Sequence, residues 1–438
     1  MGRKRCSMRF RRYNRHTVAR SGSWLHVALY RALYVLLAAS AIGAALGSHY
    51  LHWWTAYKDG YFLVSLIFAW YFLFLVFLGE RKTKPPQPYN NESIAVLIPM
   101  YNEEPRLLLA CLQSVKNCDG NKTVILLDDG SDNGLRRDKL RELCKRYGVH
   151  MFTFPKNRGK RHVVHDGIVA LNRRFDYVVT IDSDTVLAKD ALIKLVAAFQ
   201  DKRVGAASGN VLLLNEKKNL LTRMIGAYYW MGLGIRRQAQ SAIGSVSCCS
   251  GCLAAYRGEL IDSIIDEFLG QRFLGERCTF SEDRHLTNLI MREGWQVRYV
   301  PEAISYTNTP NTLRKFLKQQ QRWKRGFIRE SLFTVMYAWH SHKALFVQVV
   351  ICDLIMPFAM FGMMAELAVE AVRHPSIIYT VLAPYWFIFS MAHRAILVLR
   401  APAKIPGMLM YVVFFDLVLY WQGIYALFTI KRNRWLTR

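Results

Sequence analysis

The chain is 438 residues long, 52% hydrophobic and 13% aromatic, with a formal net charge of +27. So high an apolar share is unusual for a water-soluble protein, and it concentrates before residue 80 and after residue 343, leaving a polar, soluble middle flanked by membrane. The placement of the charge excludes a nucleic-acid role. Arg3, Lys4, Arg5 and five more basic residues crowd positions 1–20, and Arg81, Lys82 and Lys84 follow an apolar run, which is the positive-inside pattern of cytosolic flanks. No groove-reading module accompanies it, so membrane lipids are expected partners and nucleic acid is not.

In chain order, residues 1–23 form a basic cytosolic N-terminus. The apolar runs 24–46 and 61–78 are each close to the ~20 residues that a helical crossing needs, so 24–80 is expected to hold two transmembrane helices and to return the chain to the cytosol. A Pro-rich linker follows at 84–88. Across 90–310, short β-rich runs at 94–99, 124–127, 150–154 and 177–181 alternate with helix-length segments, the pattern of a parallel sheet covered by helices. Ligands of such folds sit beyond the carboxyl ends of the strands. Residues 311–340, rich in Lys and Arg, read as one or two amphipathic interfacial helices. Three apolar segments follow within 344–430, at 344–372, 376–399 and 406–430. The last is expected to re-enter or lie at the interface, because an even number of crossings keeps the basic tail 431–438 in the cytosol. The expected protein is therefore multi-pass in the plasma membrane, with its catalytic domain and both termini cytosolic.

Nine cysteines, several inside expected strands and helices, argue for reduced thiols rather than a disulfide framework. Cys249 and Cys252 form a C-x-x-C without the second half of a zinc site, so a structural or substrate-lining role is expected.

Four constellations carry chemistry. Tyr101 follows the first strand and Asp128-Asp129-Gly130-Ser131 the second; the ring can stack on a nucleobase and the carboxylates can accept its N–H groups. Asp182-Ser183-Asp184 ends the fourth strand, where Asp182 and Asp184 can hold a divalent cation against diphosphate oxygens. Glu282-Asp283 opens a helical run, and Asp283 is the candidate base for an acceptor hydroxyl; the bland alternative is that both acids merely favour the helix N-terminus. On the amphipathic stretch, Gln319 and Arg322 stand one turn apart and can bind phosphate, while Trp323 offers a ring for a sugar.

In this order the motifs resemble the processive membrane enzymes of glycosyltransferase family 2, over roughly residues 90 to 335. The stretches Asn157-Arg158-Gly159-Lys160-Arg161-His162 and Tyr425-Ala426-Leu427-Phe428-Thr429-Ile430 give the finer match, to hyaluronan synthases. Chitin oligosaccharide synthases are the near rival, sharing Glu282-Asp283-Arg284-His285-Leu286-Thr287. The resemblance implies a cytosolic GT-A type α/β catalytic domain joined to an α-helical transmembrane region. It further implies UDP-sugar donors, UDP-GlcNAc and UDP-glucuronate, and a growing polysaccharide exported through the protein's own channel; the alternative uses UDP-GlcNAc only. Tyr101, Asp128 or Asp129, Lys160 and Asp182 would contact UDP. Asp184 with Asp182 would hold Mg²⁺ or Mn²⁺, Asp283 would be the base, Gln319 and Arg322 would take the diphosphate, and Trp323, Cys249 and Cys252 would line the acceptor site. Trp435 and Arg438 match a gating element over the nucleotide. The chain departs from the family at Ser250-Gly251-Cys252, where Gly-Pro is common, and at Leu436, where Gly is common.

Overall fold

In a computed structural model the described residues are 92–132, 137–172, 174–355 and 401–433, with isolated helical positions among 71–78 and 369–377. The expectations for 1–23, for the two crossings within 24–80, for most of 376–399 and for Trp435 and Arg438 lie outside them.

Strand β1 (Ile94–Met100) is buried at all seven positions, as a strand covered on both faces must be. Its side chains alternate: Val96 and Ile98 join a core with Leu108 and Leu112 of helix α1 (Pro105–Lys116), and Ala95 and Leu97 join another with Val163, Val164 and Ile168 of a later helix. Parallel to β1 run β2 (Lys122–Asp128) and β4 (Tyr177–Thr180), and β3 (Val149–Thr153) runs parallel to β2. These are the four runs expected from sequence. Between them lie α2 (Arg137–Tyr147) and α3 (Lys160–Leu171).

The sheet continues with β5 (Val186–Leu187), helix α4 (Ala191–Val196), β6 (Val204–Leu213), α5 (Leu220–Tyr229), α6 (Arg236–Ala242), β7 (Ala254–Arg257), α7 (Gly258–Gly270), a hairpin of β8 (Arg272–Phe273) and β9 (Glu276–Arg277), α8 (Glu282–Arg292) and β10 (Gln296–Thr307). The strand order is β3-β2-β1-β4-β7-β6-β10-β5. The expected parallel sheet is in fact mixed, since β7 is antiparallel to both β4 and β6. The reason lies in the entry to β7: Ala254 pairs with Thr180, the last residue of β4, so the chain enters β7 from the carboxyl edge and must run back.

Residues 311–340 are expected as one or two helices; the structure has the single helix α9 (Leu313–Ser341), followed by α10 (Lys343–Gln348) and a π-helical turn at Val349–Ile355. Helix α9 crosses the start of α8, and a Cβ on Gly326 would lie 1.7 Å from Ser281 Oγ, so only glycine admits this approach. Further on, α11 (Ile405–Phe414), a π turn (Phe415–Leu419) and α12 (Tyr420–Phe428) pack on α5 and α9, where Gln422 Nε2 donates to the Leu317 carbonyl at 2.7 Å. Among the described residues no helix is long and apolar enough to cross a membrane.

Candidate active site

The register that sets Met100 beside Asp128 brings Tyr101 and the Asp-Asp-Gly-Ser turn to one corner of the carboxyl edge. Both aspartates are buried, and backbone groups engage them. Asp128 Oδ1 accepts the Ser131 N–H at 3.1 Å, and the two oxygens of Asp129 accept the N–H groups of Arg158 and Gly159, each at 2.8 Å. Asp129 thus fastens the loop that delivers Lys160 to the first turn of α3. Burial raises its carboxyl above the usual range, although those two N–H bonds pull it back.

Lys160 is the hub. Its Nζ lies 2.6 Å from Asp182 Oδ1 and 3.0 Å from Glu282 Oε1. Burial alone would lower the ammonium, but the Asp182 and Glu282 carboxylates overcome it and raise it. The other Asp182 oxygen faces Cys252 Sγ at 3.5 Å. A Cβ on Gly251, the glycine this loop shares with the family, would stand 2.7 Å from Lys160 Nζ, so the loop passes close over the ammonium; the departure itself is Cys252.

Glu282 and Asp283, adjacent in sequence, have opposite surroundings. Burial would raise Glu282, yet Lys160 and Arg322 draw its carboxyl below the ordinary value, which also places Arg322 close by. Asp283 is raised, first by burial and then by the Glu282 charge, with Lys160 and the Arg284 N–H opposing. That N–H donates to Asp283 Oδ1 at 2.8 Å. The two neighbouring carboxyls are thus pushed in opposite directions, the pattern that divides acid and base roles between a pair of titratable groups. Sequence reasoning missed the pairing of Glu282 with Lys160, since no local signal reveals a partner so distant in the chain.

Asp184 Oδ1 accepts from Thr307 Oγ1 at 3.4 Å, and Ser183 Oγ donates to Glu103 Oε2 at 2.7 Å, tying the Asp-Ser-Asp turn to the ends of β10 and β1. A hard divalent cation requires oxygen donors. The turn supplies them: Asp184 would be the ligand, with Asp182 alongside but shared with Lys160. No cluster of three or more metal-binding side chains occurs among the described residues, so diphosphate and water oxygens would complete such a shell.

Trp323 faces Tyr229 with ring centroids 6.3 Å apart, and Cys252 packs against the same apolar cluster. Burial, and after it the nearness of Cys252, Tyr228 and Asp184, raises the Tyr229 phenol, which sets this aromatic pair beside the Asp-Ser-Asp turn. Gln319 Oε1 is buried without a hydrogen-bond partner among the described residues, a polar atom consistent with a site meant for a ligand. Cys249 differs from Cys252. It is wholly buried in the core, its backbone N–H bonded to Thr287 Oγ1 at 2.9 Å, so it anchors the 249–252 loop rather than lining a site.

The family model described as "Glycosyltransferase like family 2" matches residues 91–326. A mannosyltransferase from Pyrobaculum calidifontis, solved in complex with GDP-Man and Mn²⁺, superposes with a TM-score of 0.58 at 19% identity, covering 83% of this chain and 97% of that one. The fold is therefore of the GT-A type. An N-acetylglucosaminyltransferase of Mesorhizobium japonicum is 41% identical over 261 residues, which are 58% of this chain and 59% of that protein. One from Rhizobium sp. (strain N33) is 34% identical over 357 residues, covering 79% and 77%. The chain belongs to glycosyltransferase family 2 and is a glycosyltransferase.

Proposed function

We propose that the chain transfers N-acetylglucosamine from UDP-GlcNAc, with inversion, to the end of a growing chitin-type oligosaccharide. The carrying observation is the Lys160–Asp182–Glu282 cluster, with Asp283 next to it, at the carboxyl edge of the sheet; burial and the Glu282 charge also raise the Asp283 carboxyl. Asp283 takes the acceptor hydroxyl's proton as that oxygen attacks the anomeric carbon, and the bond to the UDP leaving group breaks. Arg322 and Gln319 hold the diphosphate, Trp323 and Tyr229 seat the acceptor sugar, and Lys160 pairs with Asp182 and keeps Glu282 ionised. A divalent cation held by Asp184 would neutralise charge on the leaving diphosphate; the Mn²⁺ in the Pyrobaculum complex agrees with this.

The choice of sugar rests on the relatives, which are named N-acetylglucosaminyltransferases. They favour UDP-GlcNAc alone over the alternating use of UDP-glucuronate that the resemblance to hyaluronan synthases implies. The apolar segments before residue 80 and after residue 343 further support a membrane-anchored enzyme with its active site facing the cytosol.

One incubation tests this reading. Purified full-length protein in detergent is given Mn²⁺ and radiolabelled UDP-GlcNAc, with and without UDP-glucuronate, and the product is treated with chitinase or hyaluronan lyase. The expected product forms without glucuronate and yields to chitinase. A product that needs both donors and yields only to the lyase establishes hyaluronan synthesis instead. Undiminished turnover in EDTA removes the metal from the scheme.

A further inference from the structure

The apolar stretch that begins at residue 344 carries one acidic side chain into the protein interior. Asp353, in the π turn Val349–Ile355, keeps only 3% of its side chain exposed. Its Oδ1 lies 3.2 Å from Arg236 Nη2 and its Oδ2 3.5 Å from Arg284 Nη2, while Ser331 Oγ of α9 donates to Oδ2 at 2.9 Å. A buried carboxylate is costly unless paired and hydrogen-bonded, and here both conditions are met.

Arg284 is the informative partner. It directly follows Asp283, and its backbone N–H is the one that holds Asp283 Oδ1. Its guanidinium also donates to the Phe327 carbonyl at 3.2 Å and to Ser331 Oγ at 3.1 Å, and it lies over the Phe327 ring. Three pieces of chain therefore meet on this one side chain: the start of α8, the helix that carries Arg322 and Trp323, and the C-terminal apolar segment.

We propose that Asp353 is a positioning residue for the transfer reaction, holding Arg284 so that the first turn of α8 aims Asp283 at the acceptor hydroxyl. This rests on the assignment of Asp283 as base. It also makes the C-terminal apolar segment part of the catalytic apparatus, since shifting Val349–Ile355 shifts the base. Arg236 neutralises the second oxygen of Asp353, and among the described residues no hydrogen bond or ion pair joins it to residues 281–285.

The test compares kcat, donor KM and UDP affinity in full-length variants. Asp353→Asn keeps the shape and removes the charge; kcat is expected to fall by roughly tenfold to a hundredfold, the loss that small misplacements of reacting groups produce. UDP affinity and donor KM should stay within about twofold of wild type, because the diphosphate contacts are untouched. Asp353→Glu restores part of kcat. Arg236→Gln retains most of it, which separates aim of the base from simple fastening of the segment. Equal losses of kcat in Asp353→Asn and Arg236→Gln, loss of UDP binding together with turnover, or unchanged kcat in Asp353→Asn overturns the proposal. Should Asp353→Asn not fold, Ser331→Ala decides: it leaves every charge in place and is expected to lower kcat by about threefold, and wild-type turnover in it overturns the proposal. Asp283→Asn is the reference. Retained turnover there defeats the base assignment itself, whatever the Asp353 variants do.

Discussion

Two acidic doublets stand at the carboxyl edge of the sheet and look alike in sequence, Asp128-Asp129 and Glu282-Asp283. Their employment differs. The first doublet answers to backbone: Asp129 uses both oxygens on N–H groups of the 158–159 loop, and Asp128 binds the N–H of its own turn. The second answers to charge: Glu282 pairs with Lys160 and feels Arg322, while Asp283 is left with its proton affinity raised. Carboxylates spent on backbone fix the shape of a loop. Carboxylates set against charged side chains answer to changes in those charges, so in the proposed reaction the second doublet is the chemical centre and the first its scaffold.

The comparison breaks most visibly at Asp283. Asp283→Asn removes the proton acceptor and is expected to cost about 10²- to 10⁴-fold in turnover, with UDP binding measured by calorimetry nearly unchanged. If turnover survives, the two doublets do not differ as argued.

Next in size is the joint that presses the second doublet against α9. Gly326→Ala places a methyl group on Ser281 Oγ, immediately before Glu282. The helices must part, at a cost of about 1–3 kcal/mol in stability despite alanine's better helix propensity. Thermal unfolding and kcat should fall together. A variant of wild-type stability and rate would show that this contact is not tight in solution.

The scaffold doublet should respond differently. Asp129→Asn turns one acceptor oxygen into an NH₂ that faces a backbone N–H, which costs about 1–3 kcal/mol. Its mark should be a raised KM for donor, as Lys160 loses its fixed approach, with kcat changed less. A fall in kcat with unchanged KM would assign Asp129 to the chemistry instead.

How much of this contrast was legible beforehand follows from distance along the chain. The first four strands were, because each is an apolar run of strand length between turn residues, and the order of the motifs was as well. The antiparallel β7 was not: Ala254-Ala255-Tyr256-Arg257 is too short and too mixed to declare a direction, which only its pairing with β4 fixes. The candidate site residues were chosen by type, and their partners were not legible. Nothing near Lys160 announces Asp182 and Glu282, and nothing near Cys249 and Cys252 tells that one is core while the other faces Asp182.

The smallest expected effect is also the most specific, a displacement of the pH profile. A base works only when deprotonated, so kcat/KM should rise with pH as Asp283 loses its proton. Because burial and Glu282 raise that carboxyl, the acid limb should lie above the ordinary aspartate range. The limb belongs to the Glu282–Asp283 pair rather than to one residue, which makes its response to a change in the partner informative. Glu282→Gln deletes the negative charge that ranks next after burial in raising Asp283, while Lys160, still bound to Asp182, continues to oppose. Both effects have the same sign. The limb should move toward lower pH, and the variant should hold its activity in acid better than wild type, relative to each enzyme's own maximum. A limb that stays in place, or moves upward, would mean that Asp283 does not feel Glu282 and that the charge-held doublet is no more responsive than the one bound to backbone.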